Sequence, residues 1–166
     1  MTNLQTDINV ASAHRLHDLI KDFRTAMLVT RDGSELRSRP MVVAEVEADN
    51  QVWFTTSLRT SKADEIRKNP GVLVTMQDAS RFVSIGGTCV LSQDRAHIAR
   101  LWNESWRIWF PKGKEDAEIV LIGVRVERGE YWDLHGKNGV RFLWEAAKAY
   151  FAGEKVESVP ETHGIV

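Results

Sequence analysis

The segment Trp53-Phe54-Thr55-Thr56-Ser57-Leu58-Arg59-Thr60-Ser61-Lys62 ends an apolar strand in hydroxyl residues, carries an arginine through a short loop, and opens a helix. Gln51 to Thr55 is rich in aromatic and β-branched side chains, the composition of a buried strand. A short helix follows over about Lys62 to Lys68, closed by Asn69-Pro70-Gly71, since proline and glycine end helices. Helix N-termini carry unpaired amides and the positive end of the macrodipole, so they bind phosphate. The hydroxyls of Thr60 and Ser61 and the Lys62 ammonium add donors and charge there. The same residues also permit a plain N-cap at Ser61, with Asp64 completing a box-like cap.

Upstream lies Leu36-Arg37-Ser38-Arg39-Pro40-Met41-Val42. Alternate strand residues share a face, so Arg37 and Arg39 point the same way, either as a phosphate clamp or along a solvated rim. Pro40 lacks an amide donor and predicts an edge or bulge. Asp32-Gly33 is a hairpin signal between this strand and Ala26 to Thr30. Before it, Leu16, Leu19, Ile20 and Phe23 fall on one helical stripe, which Asn9 or Ser12 could cap.

Downstream, Val72 to Met76 and Phe82 to Leu91 predict strands, the second broken by a bulge at Gly86-Gly87. A helix is expected over about Asp94 to Arg107. Two strands, Ile119 to Arg128 and Glu130 to Leu134, are expected to join tightly at Gly129. A last amphipathic helix is expected over about Val140 to Ala152, with a loose polar tail. About six strands with short connections, and no regular βαβ alternation, make the chain mainly β and favour a small barrel.

The chain has 166 residues, 43% hydrophobic and 27% charged, which suits one globular domain. That domain is expected over residues 1–155, with a flexible tail over 156–166. Lys plus Arg number 22 against 23 Asp plus Glu, so no basic field exists to gather nucleic acid. One cysteine, Cys89, excludes an internal disulfide and fits a cytoplasmic setting. The polar start lacks a secretory pattern, and no apolar run reaches the ~20 residues of a membrane span.

Taken together, Arg39-Pro40-Met41, Trp53-Phe54-Thr55-Thr56, Thr60-Ser61-Lys62 and Asn69-Pro70 resemble the FMN-binding signature of the pyridoxamine 5′-phosphate oxidase-like split barrels. Later pieces resemble that superfamily's general-stress-protein branch: Phe82-Val83-Ser84-Ile85 with Gly87, the Asp94-Arg95 helix start, Trp109-Phe110-Pro111-Lys112-Gly113, and Glu130-Tyr131-Trp132-Asp133. The resemblance spans about residues 10 to 135. It implies a six-stranded antiparallel split β-barrel and a homodimer with FMN at the subunit interface. It further implies that Arg39 and Lys62 hold the FMN phosphate, with Ser61 and Thr60 adding hydroxyls. The backbone at Pro40 and Met41 would lie along the isoalloxazine edge. Thr55 and Thr56 would touch the ribityl-phosphate or ring, and Gln77 would add a polar contact. Trp109 would approach the flavin from the second subunit. Trp102, Trp106 and Trp109 also fall on one helical face, which reads equally as core or dimer interface.

One departure bears on activity. The family's oxidase closes with an Arg-x-His-Asp-Arg-like segment that grips the substrate. This chain has Trp132-Asp133-Leu134-His135-Gly136-Lys137, without the arginine pair, so oxidation of pyridoxamine phosphate is not expected. The expected function is FMN-dependent redox chemistry on a small molecule, linked to stress. Flavin buffering or redox sensing without a substrate is the alternative, and a haem-binding or other ligand-binding barrel a third. No metal site is expected: His14 and His17 sit one turn apart without a partner ligand. Serine hydrolysis has no support, because Ser84 and Ser105 lack a Gly-x-Ser-x-Gly elbow.

Overall fold

A computed structural model describes residues 13–134, 144 and 163–166. The first element, α1 (residues 13–20), buries Leu16, Leu19 and Ile20, with Phe23 just beyond. Four strands and a helix follow: β1 (Thr25–Asp32), β2 (Glu35–Val46), β3 (Val52–Ser57), α2 (Ser61–Lys68) and β4 (Gly71–Gln77). Next come β5 (Arg81–Ser92), α3 (Arg95–Leu101), 3-10 turns at Glu104–Ile108 and Gly113–Glu115, β6 (Ile119–Asp133) and β7 (His163–Ile165).

The sheet runs β3-β2-β1-β4-β5-β6, and β3 pairs β6 to close it. The result is a six-stranded antiparallel barrel. Strand alternation fills it. Ala26, Leu28 and Thr30 point inward from β1, and Val52, Phe54 and Thr56 from β3. The core joins Leu28, Phe54, Val74, Ile85 and Ile122 to the apolar stripe of α1. A second cluster lies on the outer wall, where Trp53, Ile119 and Leu121 are covered by Ile98, Trp106 and Phe110. The first six residues of β6 are all buried, because one face looks into the barrel and the other under this cover.

Pro40 sits where β2 pairs only with β1, opposite Met27; pairing with β3 begins at Val43. It is an edge position, as a residue without an amide donor requires. The expected bulge at Gly86-Gly87 is present as a register shift against β6. A Cβ on Gly87 would lie 2.1 Å from the carbonyl oxygen of Arg125.

Several expectations change. The helix expected over Asp94 to Arg107 stops at Leu101. Asp94 caps it, Trp102 leaves the helical conformation, Asn103 is extended, and a 3-10 turn resumes at Glu104. Trp102, Trp106 and Trp109 therefore do not share one helix face: Trp102 and Trp106 meet edge to face at 5.8 Å, and Trp109 is 58% exposed. Gly129 is no turn. It lies within the single 15-residue strand β6, where a Cβ would meet Leu16 of α1 at 2.4 Å. The last described residues form a strand. β7 pairs with β6, and Val166 and Gly129 exchange backbone hydrogen bonds. The expected caps Asn9 and Ser12, and the helix expected over Val140 to Ala152 apart from the exposed helical Trp144, lie outside the described residues.

The β4–β5 turn is fastened by Asp78. Its carboxylate accepts from the amides of Ser80 (2.9 Å) and Arg81 (2.8 Å) and from Arg81 Nε (2.8 Å). Arg81 also reaches Asp22 (2.8 Å) and lies 5.1 Å over the Phe23 ring, tying the turn to the end of α1. The Ser80 amide, ahead of the opposing cost of burial and the help of Arg81, brings the Asp78 pKa down to about 2 from 3.8. A depressed folded pKa adds stability above the ordinary value, and that stability is lost as pH falls through the folded one. Unfolding midpoints in urea should therefore drop between about pH 4 and pH 2, and Asp78→Asn should flatten that drop. An unchanged acid profile in the variant would remove Asp78 from the account.

Candidate functional site

A cleft of about 360 Å³ opens between the barrel wall and the aromatic cover, within the ~300–1,000 Å³ common for small-molecule sites. β2 supplies Pro40, Met41 and Val42, and the end of β3 supplies Thr55, Thr56 and Ser57. The loop and α2 add Thr60 and Lys62; Trp106, Trp109 and Phe110 form the far wall. β3 carries this end because its apolar half is locked between β2 and β6. Its hydroxyl half then emerges at the barrel rim, beside the start of α2.

The polar floor is a chain of hydroxyls around one ammonium. Lys62 Nζ donates to Thr56 Oγ1 at 3.0 Å, and Thr56 Oγ1 lies 3.4 Å from Thr60 Oγ1. Thr60 Oγ1 donates to the Ser57 carbonyl at 2.8 Å. Thr60, not Ser61, is the N-cap residue of α2, and no side chain caps the helix. The capping-box reading of Ser61 and Asp64 therefore fails, because the Thr60 hydroxyl turns back to the loop. Thr55 Oγ1 is buried at the cleft without a hydrogen-bond partner among the described residues. Burial first, and then the charge of Arg39, push the Lys62 pKa below its ordinary value, with Glu65 opposing.

Behind the floor sits Glu65, 3% exposed on α2. It accepts from Thr30 Oγ1, from Arg39 Nη1 at 2.7 Å and from Arg37 Nη1 at 3.2 Å. Arg39 Nη1 also donates to Thr30 Oγ1 at 2.8 Å. Burial pushes the Glu65 carboxyl up, but Thr30, Arg39 and Arg37 outweigh it and hold its pKa below the usual carboxylate range. Arg37 and Arg39 do share a face, and that face meets α2.

Of the residues expected at a site, Pro40, Met41, Thr55, Thr56, Thr60, Lys62 and Trp109 line this cleft. Arg39 stands behind it in the Glu65 cluster, and Ser61 is exposed at the first turn of α2. Gln77, exposed at the end of β4 opposite Phe82, is not part of the lining. Sequence reading missed Glu65, Thr30, Val42, Ser57 and Phe110. The spacing of Lys62 and Glu65 was an available signal, because residues three apart share a helix face. A second group, Glu45, Glu47 and His97, lies close enough to share an ion. Arg100 already pairs Glu45 at 2.5 Å, and the group works as a fastening of α3 to β2.

A closed antiparallel barrel of six strands, with a part-polar, part-aromatic cleft at its rim beside a helix N-terminus, defines a small split barrel with a candidate ligand cleft. The chain belongs to the pyridoxamine 5′-phosphate oxidase-like family, whose model matches residues 11–157. Solved structures share the fold. One described as a general stress protein 26 from Jannaschia sp. CCS1 is 26% identical, with a TM-score of 0.72, covering 92% of this chain and 96% of that one. The general stress FMN/FAD binding protein of Xanthomonas citri is 24% identical, with a TM-score of 0.64 over 74% of this chain and 89% of that one. The general stress protein 26 of Bacillus anthracis str. Sterne is 22% identical, with a TM-score of 0.65 over 72% and 92%. No curated protein matches the chain closely enough to serve as a relative. No helix among the described residues is long and apolar enough to cross a membrane.

Proposed function

We propose that this protein is a cytoplasmic FMN-binding flavoprotein that carries out redox chemistry on a small molecule in stress. The observation that carries the reading is Lys62. Its partly buried ammonium makes a hydrogen bond to a neutral hydroxyl, Thr56. Desolvating a cation without a carboxylate on it is costly, and a phosphate would repay that cost. Around it, Thr60, Ser61 and the side-chain-free N-terminus of α2 supply donors, and Arg39 supplies a second cation nearby. Pro40, Met41 and the wall of Trp106, Trp109 and Phe110 suit a flat ring. The orphaned Thr55 hydroxyl suits the ring's polar edge or the ribityl chain. Gln77 lies outside this lining, and any contact it makes would be peripheral. The flavin would supply the electron transfer; these side chains would bind it, orient it and exclude water.

The partner is a second copy of the chain. Met27, Val42 and Leu73 are exposed at 39%, 46% and 36%. They lie on adjoining strands, with Met27 opposite Pro40 and Thr75. This apolar face runs into the cleft at Pro40 and Val42, so a copy docked there would wall the flavin.

A second reading, flavin storage or redox sensing without a substrate, is favoured by the lining itself. Lys62 is its only titratable side chain among the described residues, so no carboxylate, histidine or cysteine among them stands ready there as a general acid or base. Among the described residues the lining offers no histidine or cysteine to a haem. The test is an absorption titration of the purified protein with FMN and riboflavin side by side. FMN is expected to bind at least tenfold tighter; binding of neither flavin would refute the reading. Turnover with a reduced nicotinamide and an acceptor then separates enzyme from store.

A further inference from the structure

We propose that Glu65 is a positioning residue of the anion site, the internal counter-ion that lets its cations converge. This rests on the phosphate reading of the cleft. Arg37, Arg39 and Lys62 approach one another from β2 and α2, and like charges so placed repel. Glu65 lies among them, 3% exposed, with Arg39 on one carboxylate oxygen and Arg37 on the other. Thr30, 1% exposed, donates to the same oxygen as Arg39 and fixes the carboxylate from β1. Arg39 is consequently only 17% exposed and is gripped through Nη1 alone. Its Nη2 and Nε make no hydrogen bond among the described residues, and in this proposal they are the donors offered to an anion entering from the cleft in front.

Without the Glu65 charge, Arg39 and Arg37 lose their shared anchor and move apart. Arg37 retains Asp32, 3.5 Å away on the hairpin side; Arg39 retains only the Thr30 hydroxyl. Removing a negative charge would by itself raise the pull on a phosphate. The loss of a prepaid geometry outweighs that gain, because a preorganised donor is worth most where the ligand is small and its charge concentrated. Glu65 therefore acts through Arg39 and on the phosphate end of the ligand alone.

The test measures affinities for FMN and riboflavin in wild type, Glu65→Gln, Arg39→Gln and the double variant. Glutamine keeps the size and an acceptor oxygen for Thr30 and Arg39, and near-native unfolding midpoints are checked first. Glu65→Gln is expected to reduce the FMN-to-riboflavin affinity ratio about tenfold with riboflavin unchanged. In the Arg39→Gln background it should change the ratio no further. Equal weakening of both flavins, additive effects, or a raised ratio would overturn the role of Glu65. If wild type itself does not prefer FMN, the phosphate reading fails, and that outcome is distinct from failure at Glu65. Should Glu65→Gln not fold, Thr30→Val tests the same anchor from β1, with the same fall in ratio expected and an unchanged ratio overturning the proposal.

Discussion

Gly87→Ala is expected to destabilise the barrel by at least the ~1–3 kcal/mol typical of overpacking, and the purified variant should unfold at much lower urea. The new Cβ would lie 2.1 Å from the Arg125 carbonyl oxygen and 3.0 Å from its carbon. Those are backbone atoms of the neighbouring strand, so no side-chain rotation relieves the clash. Relief requires shifting β5 against β6, and register in a closed barrel cannot slip without turning side chains to the wrong face. Gly86→Ala is the control. Its Cβ would meet the Arg128 side chain at 2.9 Å, a flexible group that can move away. Its cost should stay near the ~0.5 kcal/mol of an ordinary surface change. Equal midpoints for the two variants would mean that the bulge tolerates a side chain and that the glycine pair has another purpose.

Lys62→Ala is expected to weaken FMN by about 1–3 kcal/mol, roughly fivefold to 150-fold, the usual worth of a charge-assisted hydrogen bond. Riboflavin should be unaffected. The variant should also fold well, since Lys62 contributes one hydrogen bond, to Thr56, and is partly buried at a cost. Arg39→Ala should weaken FMN in the same direction but will also lower stability, because it takes a partner from the buried Glu65. Titration of each variant with both flavins, read beside its unfolding midpoint, separates the two. A Lys62→Ala protein that keeps full FMN affinity would move the phosphate away from the start of α2.

The strands were legible in the sequence because their signals are local. The apolar strand composition of Ala26 to Thr30, the Asp32-Gly33 turn, the proline at an edge and the glycine bulge all report on a residue's own neighbourhood. The elements that were misjudged depend on distant partners. Gly129 looks like a turn until Leu16 of α1 is placed against it. The helix after Asp94 looks continuous through a tryptophan stripe. It breaks at Trp102, and Trp106 turns in beside Trp53 on the barrel wall. β7 could not be read because three residues gain their strand character only from the edge of β6. At the site, the hydroxyl-rich strand end and Lys62 declared themselves. Glu65 did not, since a glutamate on a short helix looks solvated until three donors from β1 and β2 are brought onto it.

Barrel closure has a kinetic consequence. The seam between β3 and β6 asks Thr56 to find Val120, and Val52 to find Val124, across 64 and 72 residues of chain. Contacts so far apart form late, because the entropy of closing the loop is spent before the contact rewards it. All three hydroxyl residues that β3 gives to the cleft, Thr55, Thr56 and Ser57, belong to that seam. A molecule bound in the cleft can therefore slow the opening of the finished barrel and deepen its equilibrium stability. It has nothing to grip in the nascent chain, so it cannot template the folding that makes its own site.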